Sequence, residues 1–99
     1  MPQLPYKFSL GLVLATPGAL RALERAQEVS ATFLYRHQTG DWGTLGAEDK
    51  RANERALKDG SRIFSAYKLR DGTKIYVITE AVGDDGRRTS TCVLLPEDY

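Results

Sequence analysis

One cysteine, one histidine and one tryptophan stand among the 99 residues. The lone Cys92 excludes an internal disulfide and any multi-cysteine metal site, and it fits a reducing compartment. With one His and no clustered companions of ligand type, no transition-metal motif is present. No apolar run approaches the roughly 20 residues needed to span a bilayer. The start, Met1-Pro2-Gln3-Leu4-Pro5-Tyr6-Lys7, lacks the basic region and small-residue cleavage site of a signal peptide, so the expected location is the cytoplasm. Charge imbalance is missing too. Fourteen Lys and Arg face thirteen Asp and Glu. Such a chain has no global field for holding a polyanion, although a local basic patch remains open to it. No Gly-x-Ser-x-Gly nucleophile motif occurs. Thr16-Pro17-Gly18 is the nearest approach to a phosphate-cradling loop, and it lacks the spacing and the Lys.

What is present reads as one α+β domain over residues 1–99. Residues 1–7 carry two Pro and are expected to form an extended arm. Phe8, Leu10, Leu12 and Leu14 recur at period two, which predicts a largely buried strand over 8–15. Gly11 inside it marks a bulge or a close approach by another backbone. Thr16 then caps a helix over 17–28, with Pro17 in the first turn and Leu20, Leu23 and Ala26 or Gln27 on one face. A second short helix runs to Gln38, with Phe33, Leu34 and His37 on one side and Gly40 at its left-handed end. His37 falls in the last turn, where the helix dipole favours the charged imidazole. Ala47 to Asp59 is a third helix with a thin apolar face, stopped by Gly60.

Three strands follow, over 61–69, 73–81 and 87–95. Asp71-Gly72 makes the first hairpin turn and Gly83-Asp84-Asp85-Gly86 a looser second one. The order of strand, two or three helices and a three-stranded meander predicts a mainly antiparallel sheet of about four strands, with helices packed on one face. The first strand is expected to join the meander, because alone it leaves backbone groups unpaired.

The segment Arg36-His37-Gln38-Thr39-Gly40-Asp41-Trp42-Gly43 looks least like scaffolding. Tyr35, Arg36, His37, Asp41 and Trp42 form a candidate protein-binding patch, since Trp, Tyr and Arg dominate interface energetics. In the alternative, Trp42 and Leu45 tuck inward and pin the loop. Arg62, Lys68, Arg70, Lys74, Arg87 and Arg88 lie in or beside the meander, with Tyr67 and Tyr76 among them. They form a candidate nucleic-acid surface, or a solvated edge that resists aggregation. Catalysis has less to stand on. His37 with Asp41, or with Glu80, resembles a base and its orienting partner, but no nucleophile is marked. Cys92, mid-strand, reads as a small core residue. Glu48, Asp49, Glu54 and Asp59 read as a solvated helix face rather than metal ligands. No cofactor and no metal is expected.

Several stretches together carry a family resemblance: Leu14-Ala15-Thr16-Pro17-Gly18-Ala19-Leu20, Arg36-His37-Gln38-Thr39-Gly40-Asp41-Trp42-Gly43, Asn53-Glu54-Arg55-Ala56-Leu57-Lys58, Ile78-Thr79-Glu80-Ala81 and Leu94-Leu95-Pro96-Glu97-Asp98-Tyr99. The chain resembles a group of small bacterial proteins of plasmids, phages and other mobile elements, some labelled as restriction-system subunits. It departs from that group between Val82 and Arg88, where the hairpin is longer. The resemblance brings no catalytic residues. Small size, the lack of a catalytic set, the Trp42 loop and the resemblance together point to a non-enzymatic interaction protein that acts through the 35–45 segment and a neighbouring sheet edge and blocks or adapts a host or element protein, including a defence complex. A homodimer is also open to it, through a short sheet edge or the Ala-bearing face of the third helix.

Overall fold

The computed structural model describes residues 6–99. The expected arm at 1–7 therefore lies mostly outside the described residues; within it, Lys7 donates its backbone N–H to the Gln38 carbonyl (2.8 Å). The elements in order are β1 (Leu12–Ala15), α1 (Pro17–Ala26), α2 (Ser30–Gln38), α3 (Ala47–Asp59), β2 (Ile63–Lys68), β3 (Lys74–Thr79), β4 (Ser90–Leu94) and a 3₁₀ turn over Pro96–Asp98.

The four strands form one sheet in the order β1-β4-β3-β2. β2, β3 and β4 are antiparallel, as a meander must be. β1 joins them parallel to β4, so the sheet is mainly antiparallel, as expected, but mixed rather than purely so. Three helices between β1 and the meander supply the crossover that parallel pairing requires.

One face of the sheet carries Ala15, Tyr67, Ile75, Val77 and Val93, which pack with Ala19, Ala22, Leu23 and Ala26 of α1 and Phe33 of α2. The buried face of α1 is therefore Ala19, Ala22, Leu23 and Ala26, with Leu20 turned outward. Small side chains let that helix lie close on the strands. Thr16 caps it as expected, accepting from the Ala19 N–H (3.2 Å) while donating to Asp98 Oδ2 (2.7 Å).

Two expectations for the first strand fail. It spans Leu12–Ala15 only, and it lies at the edge of the sheet with Leu12, Val13 and Leu14 exposed. Gly11 explains the shortening. Its φ is +65°, and a Cβ there would collide with the carbonyl of Arg88. The chain turns sharply at this point, and Phe8 leaves the strand line to pack against the second core cluster of Trp42, Ala56 and Ile63.

Candidate functional site

His37 lies in the last turn of α2, as its spacing from Phe33 indicates, and it is completely buried. Nδ1 is 2.6 Å from Ser65 Oγ and Nε2 is 2.9 Å from Thr79 Oγ1. Thr79 Oγ1 is in turn 2.6 Å from Thr91 Oγ1, which donates to the Leu10 carbonyl (2.7 Å). This end point sets every proton in the row. Thr91 gives its only hydrogen to the carbonyl, so it accepts from Thr79. Thr79 has then spent its own hydrogen and accepts from His37 Nε2–H. Nδ1 carries no proton and accepts from Ser65. The imidazole is neutral. Burial first, and the positive Arg88 second, push its pKa down to about 3. The expected help from the helix dipole is overwhelmed, because desolvation of a fully enclosed cation outweighs a partial charge at a helix end.

Asp41 does not touch His37. Its carboxylate accepts from Arg36 Nε (2.7 Å) and the Gly43 N–H (3.2 Å), and its carbonyl accepts from the Tyr67 hydroxyl (2.6 Å). The Arg36 guanidinium, 4.6 Å above the Tyr67 ring, holds the Asp41 carboxyl below the usual carboxylate range. The catalytic pairing of His37 with Asp41 is thus absent from the fold. Trp42 is 4% exposed and donates Nε1–H to Glu54 Oε2 of α3 (2.9 Å). It is a buried anchor. Of the five residues of the candidate patch, Tyr35, Arg36 and Asp41 reach the surface, while His37 and Trp42 do not.

The segment 41–44 does something else: it closes a sheet edge. The Ala66 N–H donates to the Trp42 carbonyl (3.3 Å), and the Thr44 N–H donates to the Ala66 carbonyl (2.7 Å). Gly43 sits against Ala66 with φ +80°, where a Cβ would collide with the Ala66 carbonyl oxygen. One step along the same edge, Asn53 of α3 imitates a strand. Its Nδ2 donates to the Phe64 carbonyl (2.6 Å), and its Oδ1 accepts the Phe64 N–H (3.1 Å). The outer edge of β2 is therefore paired at both Phe64 and Ala66.

Among the described residues, no strand or loop pairs with the opposite edge. Leu12, Val13 and Leu14 are 65, 44 and 47% exposed, and no charged residue or proline lies within β1. The other face of the sheet carries no α-helix among the described residues; the Pro96–Asp98 turn and Tyr99 lie against part of it. Leu14, Cys92, Ile78 and Phe64 run across it in register through all four strands. Cys92 is accordingly half-buried on this face rather than in the core, and burial pushes its thiol pKa up.

The basic residues of the meander separate. Lys68 and Lys74 are cross-strand neighbours on the helix-free face. Arg62 shares that side through its contact with the Tyr99 hydroxyl (3.2 Å). The Tyr76 ring packs edge-on against Phe64 and Tyr99 there, whereas Tyr67 faces the core. Arg70 sits in the β2–β3 turn with its backbone N–H on Glu28 (2.7 Å). Arg87 is at the second hairpin tip, lining a cleft with Gly11, Val82 and Arg88. Arg88 is buried. It donates to the carbonyls of Ser61 (2.8 Å), Glu80 (3.0 Å) and Ala56 (3.2 Å), so it is spent on the backbone and not available to a ligand.

Among the described residues no three His, Cys, Asp or Glu side chains converge, and no helix is long and apolar enough to cross a membrane. Comparison with models of protein families, with curated proteins and with solved structures finds no match for this chain.

Proposed function

We propose that this chain is a small, non-enzymatic protein-interaction module that takes up an extended strand of its partner at the open edge of β1. The observation carrying this reading is the asymmetry of the sheet. One edge is paired at Phe64 and Ala66 by Asn53 and the 42–44 backbone. The other presents an uncharged Leu-Val-Leu-Ala strand to solvent. Strand addition uses such an edge: backbone hydrogen bonds supply affinity and alternate side chains supply selectivity. The surface reading thereby moves from the 35–45 segment, which consolidates one side of the sheet, to the opposite side. The neutral, enclosed His37 supports a non-catalytic role, since both ring nitrogens are engaged inside the core. On the resemblance to proteins of plasmids and phages, such a module serves to block or adapt a host or element protein.

The test is selection of extended peptides or lysate proteins by the wild-type chain and by Val13→Pro. Proline removes the one backbone donor at the centre of the edge. Loss of the selected partners with Val13→Pro, and their retention with Arg36→Ala, is the expected result. Partners kept in full by Val13→Pro sink the reading.

A second reading is favoured by one observation, the grouping of Arg62, Lys68 and Lys74 with Phe64, Tyr76 and Tyr99 on the helix-free face. Basic groups beside aromatic rings can hold single-stranded nucleic acid. Binding to short DNA or RNA oligonucleotides that falls steeply with salt, and more shallowly for Lys68→Ala with Lys74→Ala, is its signature. No binding at low salt removes it.

A further inference from the structure

Resting on the strand-addition reading above, we infer that the strand the β1 edge takes up is β1 of a second copy of this chain, paired antiparallel about a two-fold axis through Val13.

The register follows from which backbone groups are already used. Leu12 donates its N–H to the Thr89 carbonyl (3.0 Å), and Thr16 donates to the Val93 carbonyl (3.0 Å). In a parallel ladder alternate residues turn both polar groups to the same neighbour. Leu12, Leu14 and Thr16 therefore face β4, and Val13 points its N–H and C=O away from the sheet. A two-fold axis at Val13 sets it opposite its own copy. The two residues then exchange both hydrogen bonds, the close pair of an antiparallel ladder. Leu12 falls opposite the partner's Leu14, and Leu14 opposite the partner's Leu12. All four leucines lie on the helix-free face, where Leu14 already continues the apolar row of Cys92, Ile78 and Phe64. Such an isologous contact is complementary to itself by construction.

Three features favour a second copy over a foreign strand. The edge contains none of the devices that prevent self-pairing: no Lys, no Pro and no bulge within Leu12–Ala15. Pairing with itself places no charge opposite any residue of the strand. With the β2 edge paired at Phe64 and Ala66, the described residues leave β1 as the edge each chain offers, and assembly ends at two copies. The product is a continuous eight-stranded sheet, not a fibre. The four-residue strand makes this a small interface, so we expect a dissociation constant of the order of 1–100 μM.

Sedimentation equilibrium across that range, with amide exchange at Val13, tests the inference. A dimer whose Val13 amide is protected more strongly at higher concentration is expected. Val13→Pro should weaken dimerisation at least about tenfold, while Val13→Thr, which keeps the N–H, leaves it close to wild type. Because Val13→Pro can also perturb the strand, crosslinking supplies an independent measure. In a Cys92→Ser background, Val13→Cys places two thiols on the axis at a Cα separation of about 5.5 Å, inside the disulfide window. It should crosslink readily, and Leu12→Cys, which faces Leu14, much less. A chain that stays monomeric at millimolar concentration with an unprotected Val13 amide overturns the inference. So do equal crosslinking of the two cysteine variants, or open-ended oligomers. A monomer that nonetheless loses a foreign partner on Val13→Pro refutes the second copy and leaves strand addition standing. Full partner binding by Val13→Pro refutes both.

Discussion

His37 donates through Nε2 to Thr79 Oγ1 at 2.9 Å, which leaves Nδ1 to accept from Ser65 (2.6 Å) in a buried ring that is neutral in the folded chain. Protonating Nδ1 would turn an acceptor into a second donor facing Ser65, inside a closed row of hydroxyls. The folded pKa of about 3 lies below the ordinary value of 6.5. The unfolded chain therefore binds a proton first as pH falls. Stability contributed by the neutral ring is complete above pH 6.5 and is lost progressively as pH falls from 6.5 towards 3. The loss amounts to about 3–5 kcal/mol. Urea unfolding at pH 7, 5.5 and 4, beside imidazole chemical shifts of the folded chain, checks it. A folded-state titration midpoint near the ordinary histidine value refutes the assignment.

Thr79 is the relay of that row, accepting from His37 and donating to Thr91 (2.6 Å). Thr79→Val strands a buried donor on one side and an acceptor on the other. We expect a loss of about 1–3 kcal/mol. His37→Leu combined with Thr79→Val should cost less than the two single changes added together, since the double variant leaves fewer unmatched polar groups. Additive losses in a double-mutant cycle would show that the two groups do not act as one network.

Asn53 carries a different kind of prediction, because it satisfies the Phe64 N–H and C=O together (3.1 and 2.6 Å). Asn53→Ala should destabilise the chain by about 1–3 kcal/mol. It should also reopen the β2 edge, giving each copy two free edges instead of one. Light scattering should then find concentration-dependent species larger than a dimer. A variant that is destabilised but never exceeds the wild-type assembly size would show that the loop at 42–44 closes the edge without Asn53.

The layout of elements was largely legible in the chain. Gly40, Gly60 and Gly72 adopt the left-handed conformations that their positions after a helix or in a turn require. Ala47–Asp59 is helical to the residue. Period-two alternation also placed Ile63 and Tyr67 on the face opposite Phe64 and Ala66. The same alternation carries Ser65, Thr79 and Thr91 inward, and three inward hydroxyls call for a polar partner that the lone His37 supplies. That signal was readable but lies in three separate strands, so it emerges only once their registers are known. Asn53 carried no local signal, since one amide among Lys, Arg and Glu looks like a solvated helix face. The exposure of Leu12–Leu14 was hidden for a related reason. A run of apolar residues is the same string in a central strand as at an open edge, and only the order of strands distinguishes the two.

Arg88 shows how a basic residue of the meander can be structural. Its guanidinium donates to the Ser61, Glu80 and Ala56 carbonyls and lies 5.8 Å from the Phe8 ring centroid. Ala56 belongs to the last turn of α3, so the cation also sits at the negative end of a helix. It thereby ties that helix end to the start of β2 and the end of β3. Lys in its place is a single ammonium on a flexible stem and cannot span three carbonyls set at different angles. Arg88→Lys should therefore lower stability by about 1–3 kcal/mol. Lys74→Ala, on the exposed side of the sheet, should change it by less than about 0.5 kcal/mol. Denaturant titration of both variants measures the contrast, and oligonucleotide binding at several salt concentrations completes it. If the helix-free face holds nucleic acid, Lys74→Ala flattens the salt dependence while a folded Arg88→Lys chain does not. The reverse pattern would return Arg88 to the binding surface and remove it from the framework.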